Sequence, residues 1–347
     1  MARKLIVSID AMGGDAGPSV VVSALVRAVQ HHPDVEFILH GDEAQLTELV
    51  AKRKSKLGGR VTICHAPARV KMEDKPSLAL RRGRDTSMWH SIESVKKGDA
   101  AVAVSAGNTG ALMAMSMFHL GVLEGISRPA IACLMPTKQG QCVFLDVGAN
   151  VDCNADQLVD FAVMGEAYAR AIFGLERPTV GLLNVGEEEV KGNSEVREAA
   201  HILREASLPI EFNGFVEGND IFEHKVDVVV TDGFSGNIAI KTAEGTAKMI
   251  SSYLRSSLRR SLIARIGAVL ASGALNAMKR KLNPRAANGG VFLGLNGLVV
   301  KSHGGTDAFG FASAIDVAVD LVKGDILNHI VADRAGMNLP ARGAQTT

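Results

Sequence analysis

The chain has 347 residues, 47% of them hydrophobic, 22% charged and 4% aromatic, with a formal net charge of +1. That length and apolar content suffice for one large α/β unit or two lobes with a sizeable core, and they exclude low-complexity disorder. So few aromatic residues argue against base-stacking and aromatic sugar platforms, and no nucleic-acid partner is expected.

In chain order, the opening MARKLIVSIDAMGGD has an apolar run that stops at Asp10, too short for a signal-peptide core. It reads as a strand over 5–9 that enters a polar turn, Asp10–Asp15. A helix over 19–31, a strand at 35–39, a helix over 43–54, a strand at 61–64 and a helix over 87–97 follow. Residues 100–123 contain no Asp, Glu, Lys or Arg, as a membrane span would. Ser105, Gly107, Asn108, Thr109 and Gly110 interrupt that run at its centre. It therefore reads as a strand at 101–104, a turn and a buried helix over 110–122.

Strands are expected next at 130–134 and 143–146, then a helix over 156–173 and a strand at 180–183. A helix over 195–206, strands at 210–215 and 226–230, and a helix over 237–258 come after. A strand at 298–301 and a helix over 308–331 close the pattern. Strands alternating with helices imply βαβ units in a Rossmann-like three-layer αβα arrangement with a mostly parallel sheet. Residues 1–335 are expected to form a single α/β domain, and the Gly- and Ala-rich tail 336–347 to fray.

Polar, glycine-bearing turns follow five of the strands. They are Asp10–Asp15, Ser105–Gly110, Asp146–Asn150, Asn184–Glu187 and Asp232–Asn237. Glycine admits close backbone approach, and a helix start offers unpaired N–H groups to an anion. Ligands of parallel sheets bind at the carboxyl ends of strands, so these turns read as one site.

Several familiar chemistries lack their signatures: GxGxxG and Walker A for nucleotides, GxSxG for a serine nucleophile, HExxH for a metal. No cofactor and no metal are expected. Cys64, Cys133, Cys142 and Cys153 show no CxxC spacing and read as reduced thiols of a cytosolic protein. Ser105, Asn108 and Thr109 stand before a helix, where they can hold an anion or simply cap the helix. Lys191 lies in the charged loop 186–193. Asp232 can orient a proton or a lysine, or close an Asx turn. His303 can donate to an oxyanion, or serve the structure alone.

Between Glu244 and Asp307 there is no acidic residue. Leu254, Leu258, Leu262, Ile266 and Leu270 recur every fourth position there, along one face of a helix. Residues 246–290 thus read as a basic amphipathic helical arm, a projecting hairpin. A dimer contact, a dock for an acidic partner and a helix on anionic lipid all fit it. An ordinary packed helix with solvated arginines is the plain alternative.

Taken together, IDAMGGD (9–15), SAGNTGA (105–111), LDVGAN (145–150), NVGEEEVKGN (184–193), TDGFSGN (231–237) and FLGLNGLVVKSHG (292–304) resemble the PlsX-type phosphate acyltransferases of bacterial phospholipid synthesis. The resemblance runs from about Leu5 to Ala335. It implies a fold like the phosphotransacetylases and the isocitrate dehydrogenase group. It also implies transfer of a long-chain fatty acyl group from acyl carrier protein to inorganic phosphate. A homodimer is implied, cytoplasmic and peripherally associated with the inner face of the cell membrane. There the acyl phosphate would pass to a membrane glycerol-3-phosphate acyltransferase.

On that resemblance Ser105, Asn108 and Thr109 cradle phosphate, with Asp10, Gly13, Gly14, Asn150, Asn193 and His303 completing the substrate site. Lys191 neutralises the phosphate or oxyanion, and Asp232 fixes Lys191 or takes a proton. Ser235 and Asn237 donate to the carbonyl oxygen. Arg259, Arg260, Arg265, Lys279, Arg280 and Lys281 steer the acidic carrier, while Leu262 and Ile266 rest on the bilayer. A phosphotransacetylase using a coenzyme A thioester is the nearest rival. A nicotinamide-dependent dehydrogenase of related fold and a non-catalytic membrane-associated scaffold are more distant ones.

Overall fold

A computed structural model describes residues 4–205, 210–281 and 288–335. The tail expected at 336–347 lies outside the described residues. The first half of the chain forms β1 (Leu5–Asp10), α1 (Pro18–His31), β2 (Val35–Gly41), α2 (Glu43–Ala51), α3 (Lys54–Leu57) and β3 (Val61–His65). It continues with α4 (Pro76–Arg82), α5 (Ser87–Lys97), β4 (Val102–Ser105), α6 (Thr109–Leu120), β5 (Ala130–Thr137) and β6 (Gly140–Leu145). Then come α7 (Ala155–Phe173), β7 (Thr179–Leu183), α8 (Ser194–Glu205), β8 (Glu211–Val216) and β9 (Val228–Val230). The remainder is α9 (Gly233–Arg259), α10 (Leu262–Leu270), α11 (Ser272–Lys281), β10 (Gly290–Leu293), β11 (Leu298–Lys301), α12 (Ala308–Lys323) and α13 (Ile326–Ala335).

Local chemistry explains many of these boundaries. Asn154 and Gln157 form a reciprocal capping box at the start of α7, and Gly174 ends that helix at φ 66°. Thr86 caps α5, which Gly98 stops at φ 75°. The helix expected over 308–331 is two helices. Gly324 and Asp325, the latter at φ 50°, break the ladder between α12 and α13.

The eleven strands among the described residues form one sheet, in the order β3-β2-β1-β4-β11-β10-β5-β6-β9-β7-β8. Seven of the ten pairings are parallel. The other three, β11 with β10, β10 with β5 and β5 with β6, are antiparallel. Strand β10 was not expected from the sequence; at four residues it is too short to show a period. Short turns join β10 to β11 and β5 to β6, and a short turn can only join antiparallel strands.

The sheet therefore changes direction at its middle. Strands β1, β4 and β11 end at one edge, whereas β6, β9 and β7 end at the other. With the turn after β11, the five polar turns read from the sequence become two sets of three, one at each edge. Sheet twist turns much of that reversal back. At about 20–25° per strand step, the five steps from β4 to β9 rotate the strands by roughly 100° or more.

Helices cover both faces. One face carries α1, α7, α8, α12 and α13 over the main core, which includes the fully buried Phe37, Phe161, Tyr168 and Phe311. On the other face, α4, α5 and α6 enclose Met88, Ile92, Leu112, Met115, Phe292 and Val299. Further along that face Ala239, Ile240 and Ala243 of α9 lie against Phe144 and Val229. Val147, in the turn after β6, packs against both of these clusters.

Beyond this contact α9 leaves the body. Its only fully buried residues are Gly233 and Gly236, and α10 has none. Leu262, Ile263, Val269 and Leu270 are each more than 70% exposed. Ser261 is extended and caps α10, accepting from the Ala264 amide at 3.1 Å, so the arm bends there. No described helix is long and apolar enough to cross a membrane.

Core and arm should respond oppositely to truncation. Phe161→Ala should destabilise the protein by about 3–5 kcal/mol in denaturant titration. Leu262→Ala, on the exposed arm, should stay within about 0.5 kcal/mol of wild type.

Candidate active site

The first set of turns is built around Asp10. This carboxylate is buried and accepts from the Ser87 hydroxyl at 2.5 Å and the Ser105 hydroxyl at 2.6 Å. Ser105 Oγ in turn accepts from the Gly107 amide at 3.0 Å. Burial raises the Asp10 pKa, opposed by the two serines and the amides of Met12 and Gly13. Two glycines let the backbones meet. A Cβ on Gly13 would lie 2.5 Å from Asp10 Oδ2 and 2.8 Å from the Gly107 nitrogen, and Gly14, at φ 85°, sits against the Gly304 carbonyl.

Lys301, at the end of β11, completes this knot. Its ammonium donates to the Ala106 carbonyl at 3.4 Å and to the Ser302 carbonyl. Desolvation pushes its pKa down to about 8, although Asp10 and Asp15 pull the other way. Asn108 caps α6 through the Ala111 amide and donates to the Met72 and Asp74 carbonyls. Thr109 is half-buried beside it, and His303 is exposed at the rim, its Nδ1 accepting from the Gly305 amide at 3.3 Å.

The second set has its own buried carboxylate. Asp146 accepts from the amides of Ile131, Gly148, Ala149 and Asn150 and from Asn150 Nδ2. Burial raises its pKa against those hydrogen bonds. The next turn is latched on by the Gly233 amide, which donates to the Asn150 carbonyl at 2.7 Å. Asn237 Nδ2 donates to the Val147 carbonyl at 3.2 Å. A side chain at Gly236 would collide with the Asp146 carbonyl, which explains glycine at that position.

Asp232 caps α9. Its Oδ1 accepts from the Ser235 amide at 2.7 Å and its Oδ2 from the Ser235 hydroxyl at 2.9 Å. Just after the neighbouring β7, Asn184 Nδ2 donates to the carbonyls of Gly186 and Lys191 and closes the loop that displays the exposed Lys191. Asn193 caps α8 by accepting from the Val196 amide at 2.8 Å. An ion pair between Lys225 and Glu187 ties the loop to the following segment.

The structure thus gathers Asp10, Gly13, Gly14, Ser105, Asn108, Thr109 and His303 in one set. Asn150, Lys191, Asn193, Asp232, Ser235 and Asn237 form the other. Asp10, Ser105 and Asn150, expected to contact substrate, are all buried. Their polar atoms are engaged with one another and with turn amides, so they position the turns. Lys301, Ser87 and Asp146 were not among the expected site residues. Asp146 did carry a signal, a carboxylate ending a strand just before a glycine turn. Ser87 carried none, because its partner is 77 residues away. Arg259, Arg260, Leu262, Arg265 and Ile266 are exposed on the arm, while the side chains of Lys279, Arg280 and Lys281 lie outside the described residues. The four cysteines are free, and burial pushes Cys142 up to about 12.

Known proteins share this fold. A phosphotransacetylase from Streptococcus pyogenes superposes with a TM-score of 0.63 at 18% identity, covering 93% of this chain and 95% of that one. EutD phosphotransacetylase from Staphylococcus aureus gives 0.59 at 17% identity, over 92% and 94%. In sequence, the chain is 56% identical to a phosphate acyltransferase of Parvibaculum lavamentivorans, over 96% of this chain and 92% of the relative. One from Xanthobacter autotrophicus is also 56% identical, over 98% and 96%. The chain is an acyltransferase. It belongs to the fatty acid synthesis protein family, whose sequence model matches residues 5–329.

Lys301 gives this site a pH signature in stability. Its folded pKa lies below the unfolded value of about 10.4, so between pH 8 and 10 the unfolded chain binds more protons. The cost of burying the ammonium is fully present below pH 8 and relieved above it. The stability of wild type relative to Lys301→Met should therefore rise between pH 8 and 10, measured by denaturant titration at each pH.

Proposed function

We propose that the protein transfers a long-chain acyl group from acyl carrier protein to inorganic phosphate, releasing an acyl phosphate for phospholipid synthesis. The observation that carries this reading is the second set of turns, where Lys191, Asp232, Ser235 and Asn237 share one rim. Full-length identity to proteins named phosphate acyltransferase supports it. Phosphate supplies the nucleophile itself. Its oxygen attacks the thioester carbonyl carbon, a tetrahedral oxyanion forms, and the C–S bond breaks with its electron pair leaving on sulfur. The proton carried in by hydrogen phosphate ends on the carrier's thiol.

In this reading the site's task is to hold a dianion against a carbonyl and to stabilise the oxyanion. The Lys191 ammonium neutralises phosphate. Asp232, already bonded to the Ser235 hydroxyl, relays the proton from phosphate toward sulfur. The second N–H of Asn237 Nδ2, and the Ser235 hydroxyl once turned away from Asp232, donate to the carbonyl oxygen. In the first set Thr109 and the N-terminal amides of α6 receive the remaining phosphate oxygens, with His303 at the rim.

The arm serves assembly and location in the same reading. Its exposed apolar stripe supports contact with a second copy and with the anionic inner surface of the cell membrane. Arg259, Arg260 and Arg265 flank that stripe. Delivery there would shorten the path of a labile acyl phosphate to a membrane glycerol-3-phosphate acyltransferase.

Carrier thiol should be released from long-chain acyl carrier protein only with phosphate present, and hydroxylamine should trap an acyl hydroxamate. Lys191→Ala and Asp232→Asn should each lower turnover by about a hundredfold or more. The asparagine retains the helix cap, so folding is spared. Turnover within a few-fold of wild type for both would remove the assignment. Activity with acetyl-coenzyme A alone would favour the phosphotransacetylase reading. For the arm, Leu262→Glu with Ile266→Glu should abolish flotation with anionic liposomes; undiminished flotation would exclude a lipid contact there.

A further inference from the structure

One exposed surface is used neither by the polar turns nor by the arm. Residues 69–85 carry Arg69, Lys71, Lys75, Arg81, Arg82 and Arg84 against only Glu73, Asp74 and Asp85. All six basic residues are exposed, and none forms an ion pair with a carboxylate among the described residues. One of the three acids is occupied locally: Asp74 accepts from the Lys71 amide at 2.8 Å. Unneutralised like charges held this close repel one another, and an acidic partner relieves that repulsion while being steered by it.

This surface is fastened to the rim of the first set of turns. Asn108, the cap of α6, donates to the Met72 carbonyl at 2.7 Å and the Asp74 carbonyl at 3.0 Å. Helix α4 packs on α6, so closely that a Cβ on Gly110 would lie 2.7 Å from the Pro76 ring. A Cβ on Gly304 would lie 3.0 Å from Met72 Cε. Whatever binds over α4 stands beside the first turn of α6.

The apolar content of the surface separates a protein from a membrane as its occupant. Met72 and Leu78, each 42% exposed, are the exposed large hydrophobics among its six cations. A lipid-binding helix needs a continuous apolar stripe, which α10 has and α4 lacks. Charge with sparse apolar contact is the composition of a polar protein interface.

We propose that Arg69, Lys71, Lys75, Arg81, Arg82 and Arg84 form the docking surface for an acidic protein that presents its acyl thioester to the phosphate held at the first turn of α6. The proposal rests on the reading above, in which an acidic carrier protein is the donor. It moves donor docking from the arm to the α4 surface.

Steady-state kinetics would use one acyl group on two donors, acyl carrier protein and the neutral N-acetylcysteamine thioester. Calorimetric titration of carrier protein would accompany them. Arg81→Glu with Arg82→Glu should raise the apparent KM for acyl carrier protein about tenfold or more at low salt. It should weaken carrier binding in parallel, flatten the salt dependence of kcat/KM, and leave the small thioester unaffected. Arg259→Glu with Arg260→Glu should change neither carrier parameter. An unchanged carrier KM in the α4 variant, or an equal loss with the small thioester, would overturn the proposal. Loss of anionic-vesicle binding with intact carrier kinetics would overturn it too, in favour of a membrane contact. The wild type tests the underlying reading separately: failure to consume the carrier-bound donor while using the small thioester would refute the carrier as donor and the docking surface with it.

Discussion

Every polar turn of this protein is placed by the reversal of strand direction at the β11–β10–β5–β6 seam. A fully parallel sheet would bring all the strand ends to one edge. Here three antiparallel pairings, two of them across short turns without a helix, invert the second half and divide the turns into two triplets. Twist then brings the triplets partly back toward each other. Val147, packed against hydrophobic clusters on either side, shows that the two halves share one continuous face.

Each triplet is organised by a buried aspartate, and the two solve the same problem differently. An isolated carboxylate inside a protein is costly unless its oxygens are saturated with donors. Asp146 is satisfied chiefly by amides of its own turn, so its site is local and self-contained. Asp10 depends on serine hydroxyls from β4 and α5, which binds three distant stretches of chain into one knot. Lys301 adds a cation to that knot at a cost visible in its lowered pKa. The side chains that remain accessible, Lys191, Thr109 and His303 among them, stand on turns whose shape is already fixed.

Much of the fold was legible in the sequence, because apolar runs and helical periods are local signals. The strands at 5–9, 35–39 and 226–230 and the helix at 156–173 were readable within a few residues. Strand β10 was not, since four residues carry no period, and with it went the direction of half the sheet. Helix α4 was not among the expected elements either: seven residues amid charges show too little of a helical period. For the site, residue types at strand ends identified the turns. Whether a serine faces solvent or a carboxylate depends on contacts such as Ser105 with Asp10, 95 residues apart. No spacing rule reveals such a pair.

Helix α9 joins two regions with unlike demands. Its first turn carries Ser235 and Asn237 and is seated on Asn150 and Val147 through Gly233 and Asn237. Its last turn carries Arg259 at the root of the apolar arm. With 27 residues at about 1.5 Å each, it is a rod of roughly 40 Å without a break. A body that grips the far end acts on the near end as on the short side of a lever. Any tilt is delivered to two glycine positions that have no side chain to cushion it. The polar rim at its first turn and the apolar arm at its last are therefore mechanically connected by one element, with no intervening break.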